Sequence, residues 1–262
     1  RKKRWWKNHK ILLTIISKDY QKDVYLTTPT DVCWSSLVST LFKSAADSDV
    51  LWEKFLPADY QEIISGALHL LPSAALSEKE LYYRLSDDPL LIDGGSKSFQ
   101  LEKSSGKKCI MLGAKELAIS WGDGKTPWYW DWPRCPGSRF AQVAELHGVW
   151  WLEIHGKMEI QLLSPNTFYV AHFVFKLRDD AYGFDDYEPM KAKVEVFGRA
   201  DGDTNACSKE RLIYLGACSE YYPPDPIYPP DQMLEPEYFA RERGNGWMEV
   251  EMGHFYNGGG DS

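Results

Sequence analysis

The stretch SWGDGKTPWYWDW, Ser120 to Trp132, places four tryptophans within thirteen residues. An indole ring offers a flat apolar face that complements the C–H face of a sugar ring. A nearby carboxylate such as Asp123 can accept hydrogen bonds from hydroxyl groups. Trp128, Trp130 and Trp132 alternate, so on a β-strand all three share one face. The same alternation fills the core of a β-sandwich. Residue type and spacing alone therefore leave two readings, a binding platform or a packed core.

Other chemistry is thinly represented. His147, His155, His172 and His254 are scattered without metal-ligand spacing. No GxSxG, phosphate-binding loop or GxGxxG occurs, and no nucleophile–base arrangement is visible. The expectation is a protein with no catalytic residues, no metal and no cofactor. Five cysteines, an odd number with no CxxC, fit a reducing compartment better than a disulfide framework. The net charge of −8 argues against nucleic acid or an anionic membrane surface as partner. No apolar run approaches the length of a membrane span.

The elements that must position the tryptophans divide into two unlike parts. The chain of 262 residues is long enough for one large domain or two smaller ones. From Pro29 to Leu71 the pattern is helical. Thr28 or Thr30 can cap, Pro29 suits a first turn, and Asp31 suits a helix N-terminus. Trp34/Val38, Leu37/Leu41 and Val38/Phe42 are i,i+4 pairs. Further short helices follow, with a break at Pro57. Ser77, with Glu80 three residues on, opens one more helix, Ser77 to Leu85. After a turn-rich connector the texture changes to short alternating strands bounded by Gly, Pro, Asn or Asp. SFQLEKSSGKKCIML reads as two strands around a Ser-Ser-Gly turn, and VWWLEIHGKMEIQLL reads as a strand region in which Trp150 and Trp151 face opposite sides and one is core. Trp132 and Trp247 are also read as core. The six prolines between Pro223 and Pro236 mark a long loop. Repeated strands without intervening helices indicate an antiparallel sandwich or barrel.

Two resemblances sharpen this. TPTDVCWSSLVSTLFKSAADSDVLWEKFLP, Thr28 to Pro57, resembles an F-box, with Pro29, Asp31, Val38, Ser39, Phe42 and Trp52 on the motif. The Leu-Pro pair that usually opens an F-box is replaced by KILLTIISKDYQKDVYL. GKKCIMLGAKELAISWGD, YWDW, SRFAQVAELHGVWWLEIHGKMEIQLLSPNTFYVAHFVFKL and GWMEVEMGHFYNGG resemble the phloem protein 2 family, the Nictaba-type plant lectins. The linker between the parts also fits the version in which an F-box precedes the lectin domain.

These resemblances imply an α+β protein: a small N-terminal three-helix F-box, then an all-β antiparallel, jelly-roll-like sandwich. The expected boundaries are a divergent leader (1–24), F-box-like helices (25–71), a helix and linker (72–97) and the lectin domain (98–262). The leader has a basic start and a short apolar run, Ile11 to Ile16, the order of a signal peptide, but no small-residue cleavage site follows. It is read as a solvated leader, with a nuclear-localisation reading of Arg1–Arg4 as alternative. Family members continue beyond GHFYN, so the sandwich is expected to lack one or two strands and to expose an edge.

The implied function is substrate recognition in a Skp–cullin–F-box ubiquitin ligase. Pro29, Val32, Leu37, Val38, Leu41, Phe42 and Trp52 would contact the Skp-type adaptor. Trp121 and Trp130, with Asp123, would hold an N-acetylglucosamine-containing glycan or glycoprotein. The resemblance also implies a cytoplasmic and nuclear location and allows a homodimer through the lectin domain. Two alternatives stay open. The sandwich could read protein without sugar, because the loop at Gly124–Trp128 is enlarged. The F-box could be non-functional, because its first element is altered.

Overall fold

The computed structural model describes residues 7–17, 28–69, 76–125, 128–182, 189–197, 210–217 and 239–259. Arg1–Arg4 and the Pro-rich stretch 223–236 lie outside them. One strand comes first, short helices follow, and a curled, mostly β region completes the chain, consistent with the α+β expectation.

Helices α1 (Pro29–Ser35), α2 (Thr40–Ala46), α3 (Asp49–Trp52) and α4 (Tyr60–Ser65) precede α5 (Glu78–Asp87). Four short helices stand where three were expected. Their starts follow from capping chemistry. The Thr28 hydroxyl accepts from Asp31 N while the Asp31 carboxylate accepts from Thr28 N. Ser77 and Glu80 form the same reciprocal box at α5. Ser39 caps α2 through Phe42 N.

Trp52 joins the helices to the rest. It is 0% exposed, its indole N–H donates to Ala46 O at 2.6 Å, and its ring lies 5.1 Å from Tyr82 and 5.6 Å from Phe55. Tyr82, on α5, donates to Lys103 O at 3.1 Å. Buried Lys108 reaches Asp59, before α4, at 2.6 Å.

In the β region, β2 (Leu90–Ile92), β3 (Lys97–Leu101) and β4 (Lys108–Leu112) form an antiparallel meander. The Ser-Ser-Gly turn lies between β3 and β4 as expected. Gly106 there has φ +72°, and a Cβ would lie 2.8 Å from Phe55 O, so only glycine allows the turn to approach the helices this closely. Strands β5 (Leu117–Ile119) and β8 (Ile154–Gly156) make a separate two-stranded sheet. Strands β6 (Trp130–Asp131) and β7 (Ala144–Leu146) pair with each other. The long β9 (Thr167–Tyr182) pairs with β13 (Trp247–Asn257), which continues through β12 (Phe239–Gly244) and β11 (Arg211–Ala217) to β10 (Met190–Ala192). The β11–β12 pair is parallel, a departure from the all-antiparallel expectation. The expected strand region from Val149 to Leu163 is also shorter. Only Ile154–Gly156 is strand, and Ile160–Leu162 is a 3₁₀ turn.

The largest correction concerns the leader. Lys7–Ser17 is strand β1, not a solvated tail. It runs antiparallel to β9 from Ser17↔Tyr169 to Lys7↔Tyr182. On its other side it pairs with β4 through Leu13↔Leu112 and with β7 through His9↔Leu146. It thus fills an interior position of the large sheet, and β9 has a partner on both sides. The run ILLTII is apolar and β-branched, which suits an interior strand. In β9, Val170 to Phe175 are all buried. Successive residues of a strand face opposite sides, so this strand is covered on both.

An interior strand tolerates no missing donor. Leu13→Pro is expected to destabilise the protein by about 1–3 kcal/mol, the cost of a buried ladder group left unpaired. A lower urea midpoint checks this.

Among the buried polar groups of the sheet is His172, whose Nδ1 has no hydrogen-bond partner. Burial pushes its imidazole below the ordinary value of 6.5, with Glu249 and Glu251 opposing and Arg241 and Arg243 adding to the shift. The unfolded chain therefore binds the proton first. The His172 term leaves stability unaffected above pH of about 6.5 and erodes it as pH falls toward the lowered folded value. In His172→Gln the fall in thermal midpoint between about pH 6.5 and 5 should be shallower than in the native chain.

Candidate functional site

The aromatic stretch is built by the β5–β8 pair. Beyond Ile119↔Ile154 the ladder extends through Ser120 N, which donates to Glu153 O at 3.0 Å. The chain then turns sharply, with Gly122 N donating to Ile119 O at 2.9 Å. A Cβ at residue 122 would lie 2.9 Å from Ile119 Cβ, so glycine is required there. The turn leaves Trp121 at φ +67°. A bulky residue in this region is strained, and such strain concentrates at functional sites.

Trp121 is 43% exposed and Trp151 53% exposed. Their rings stand edge to face with centroids 5.5 Å apart. Tyr129 lies on the other flank of Trp121 at 5.6 Å. These three rings form an aromatic surface at one end of the small sheet. Beside it, the Glu153 carboxylate accepts from the Ser120 hydroxyl at 3.2 Å and meets His155 Nε2 at 3.0 Å. The His155 contact first, then Ser120, holds the Glu153 carboxyl below its usual range, so it stays an acceptor. Asp123 is exposed in the loop and accepts from Lys125 N at 3.1 Å. Aromatic rings beside exposed carboxylates can stack on a sugar and accept from its hydroxyls.

Trp130 is elsewhere. It is 1% exposed, and its indole N–H donates to Ser120 O at 3.1 Å. Pairing of Trp130 with Leu146 turns the ring into the core, so it offers no stacking face. It supports the Trp121 turn from beneath, which corrects its placement as a stacking residue. Trp132 is half-buried, with Lys115 Nζ 3.6 Å from its ring centroid. Trp128 is 69% exposed in the loop. Trp247 is buried as expected, but neither Trp150 nor Trp151 is core. That segment is not a strand, and Val149 takes the buried position. Trp151 and Glu153 escaped the sequence reading because only the β5–β8 pairing brings them to Trp121, and Tyr129 because the β6–β7 pairing and the Trp130 bond to Ser120 O place it there.

The helical end presents a second surface. Leu37, Val38, Leu41 and Phe42 are exposed, Leu41 at 79%. Trp34 and Val50 are exposed too and extend the apolar set. For Trp34 the i,i+4 pairing with Val38 was the available signal. Pro29, Val32 and Trp52 are buried. Their assignment as adaptor contacts is corrected, because they pack the helices together.

The model of the phloem protein 2 family matches residues 107–261. The chain therefore belongs to the phloem protein 2 family, among the members that carry an F-box ahead of the lectin domain. It is 41% identical over 238 residues to F-box protein PP2-B10 of Arabidopsis thaliana, covering 90% of this chain and 78% of that protein. It is 38% identical to F-box protein PP2-B1 of the same plant, covering 89% and 75%. With F-box protein PP2-B15, also of Arabidopsis thaliana, it shares 36%, covering 90% and 81%.

Trp121→Gly relieves a strained turn, worth about 1–2 kcal/mol, and loses two ring contacts of about 0.5–1.5 kcal/mol each. Its net stability change is expected to lie between a gain of about 1 and a loss of about 2 kcal/mol. Trp130→Ala empties a core position and is expected to cost about 3–5 kcal/mol. Urea unfolding of both variants checks this separation.

Proposed function

We propose that the chain is the substrate-recognition subunit of a Skp–cullin–F-box ubiquitin ligase and holds an N-acetylglucosamine-containing glycan or glycoprotein on its β region. The exposed rings of Trp121 and Trp151, with half-buried Tyr129 against Trp121, carry the glycan half of the reading. The F-box relatives and the exposed run from Trp34 to Phe42 support the ligase half. In this reading Trp121 stacks on the sugar ring, while Asp123 and Glu153 accept from its hydroxyls. Leu37, Val38, Leu41 and Phe42 enter the groove of the Skp-type adaptor as a helix-in-groove contact. The protein catalyses nothing itself; it contributes proximity between a bound target and the ligase. A location in cytoplasm and nucleus, and a homodimer through the β region, belong to the same proposal.

A second reading has a specific observation behind it. Trp130 offers no stacking face, and Trp128 is exposed in the neighbouring loop. Exposed aromatic side chains suit a protein partner.

The two are separated on a glycan array with the full chain. Chitin oligomers should bind, and Trp121→Gly should weaken them about tenfold or more, or about 1.4 kcal/mol. No glycan signal from folded protein would favour the protein-binding reading. Adaptor pull-down tests the other surface. Leu41→Asp should abolish capture while leaving the thermal midpoint unchanged, since Leu41 is exposed. If the native chain fails to capture the adaptor, the F-box is non-functional.

A further inference from the structure

A cavity of about 240 Å³ lies between the end of α5, the β3–β4 pair and β12. Met111 gives it an apolar side chain and Gln100, on the same face of the β3–β4 pair, adds an amide. Arg139 and Arg243 both reach it. Neither the glycan surface nor the docking helices contribute to it.

Three cations and three carboxylates lie at or against its wall, but Arg139 makes no carboxylate contact among the described residues. Arg243 is matched by Glu249 at 2.8 Å. Lys103, also on the wall, is matched by Asp87 at 2.8 Å. Glu102 is turned into the adjoining turn, accepting from Ser104 N, Ser104 Oγ and Ser105 N. Arg139 has no carboxylate partner among the described residues. A guanidinium carries five N–H donors. The hydrogen bond that Arg139 makes within the described structure is a long one, 3.4 Å to Ser98 Oγ. Burial first, then the neighbouring Arg243 charge, disfavours its charged form, with Cys109 opposing. A half-buried cation beside a second cation, with donors to spare, is a site that an anion would stabilise.

We infer that this cavity binds the carboxylate of a small, partly apolar organic acid, with Arg139 as the recognising fork. The planar guanidinium fits a carboxylate through two parallel hydrogen bonds. The volume leaves room for a molecule of the size of benzoate, since an apolar cavity of roughly 150 Å³ already takes benzene. Met111, on the same face of the β3–β4 pair as Ser98 and Gln100, would cover its hydrocarbon part.

The experiment titrates the full chain with sodium benzoate, benzamide and inorganic phosphate at matched ionic strength, following thermal midpoint and calorimetric heat. Benzoate should raise the midpoint in a saturable way, whereas benzamide, of the same shape but neutral, should not. Arg139→Gln should weaken benzoate about tenfold or more, equivalent to about 1.4 kcal/mol. Arg139→Lys, which keeps the charge without the fork, should fall between. If Arg139→Gln does not fold, nuclear Overhauser contacts between benzoate ring protons and the Met111 methyl in the native chain decide the matter. Absence of a benzoate effect, an equal effect of benzamide, stronger binding of phosphate, unchanged affinity in folded Arg139→Gln, or absence of the Met111 contacts would each overturn the assignment. The cavity is separate from the aromatic surface, so none of these results bears on glycan binding.

Discussion

Trp52 is the contact on which the two halves of the molecule depend. It closes the helical part from inside, through Ala46 O and Phe55, and it faces Tyr82 of α5. Tyr82 in turn is fastened to the β3–β4 turn. A ring of this size removed from water on all sides contributes several kcal/mol. The buried Lys108, paired with Asp59, adds a polar tie across the same seam. Buried residues of the helices and of the sheet accordingly form one continuous cluster. The proposed adaptor role would draw on this. Slack between its two surfaces would spread the bound target over a larger volume and lower its effective concentration.

The sheet has its own constraint. Its interior position beside β9 is filled by Lys7–Ser17, a strand separated in sequence from its partners by the whole helical part. Closing such a long loop costs little more entropy than closing a shorter one, because the cost grows only with the logarithm of length. The ladder pairing on both edges of the strand opposes that cost. Polar groups then enter the layered structure without exposure to water. His172, Glu251 and Ser98 are buried, and Arg211 meets Glu251 at 2.7 Å. Arg139, at the margin of this polar set, keeps donors open to a cavity.

The aromatic surface shows how strain and support divide the work. Trp121 sits in a left-handed conformation that costs free energy, and buried Trp130 holds the turn by bonding Ser120 O. One tryptophan is displayed because the other is enclosed. Trp151 arrives from a different segment and completes the display edge to face.

By itself the sequence determined what depends on neighbours a few residues apart. The caps at Thr28 and Ser77, the turn at Gly106, and the apolar run from Trp34 to Phe42 all follow from local rules of capping, backbone freedom and helical spacing. The motif blocks also pointed to the family and to Trp121. Tertiary structure alone decided the rest. The pattern ILLTII is equally a leader or a strand until β9 and β4 offer it hydrogen-bonding edges. Alternation made Trp128, Trp130 and Trp132 equivalent, but pairing with Leu146 buries Trp130, while the loop exposes Trp128. Trp52, Val32 and Pro29 looked like docking residues because apolar residues at helical spacing suit a partner or a core equally. Which they serve depends on whether α5 and the β3–β4 turn lie against them. Cross-strand and core contacts join residues far apart in the chain, and no local pattern encodes which of two apolar environments a side chain will meet.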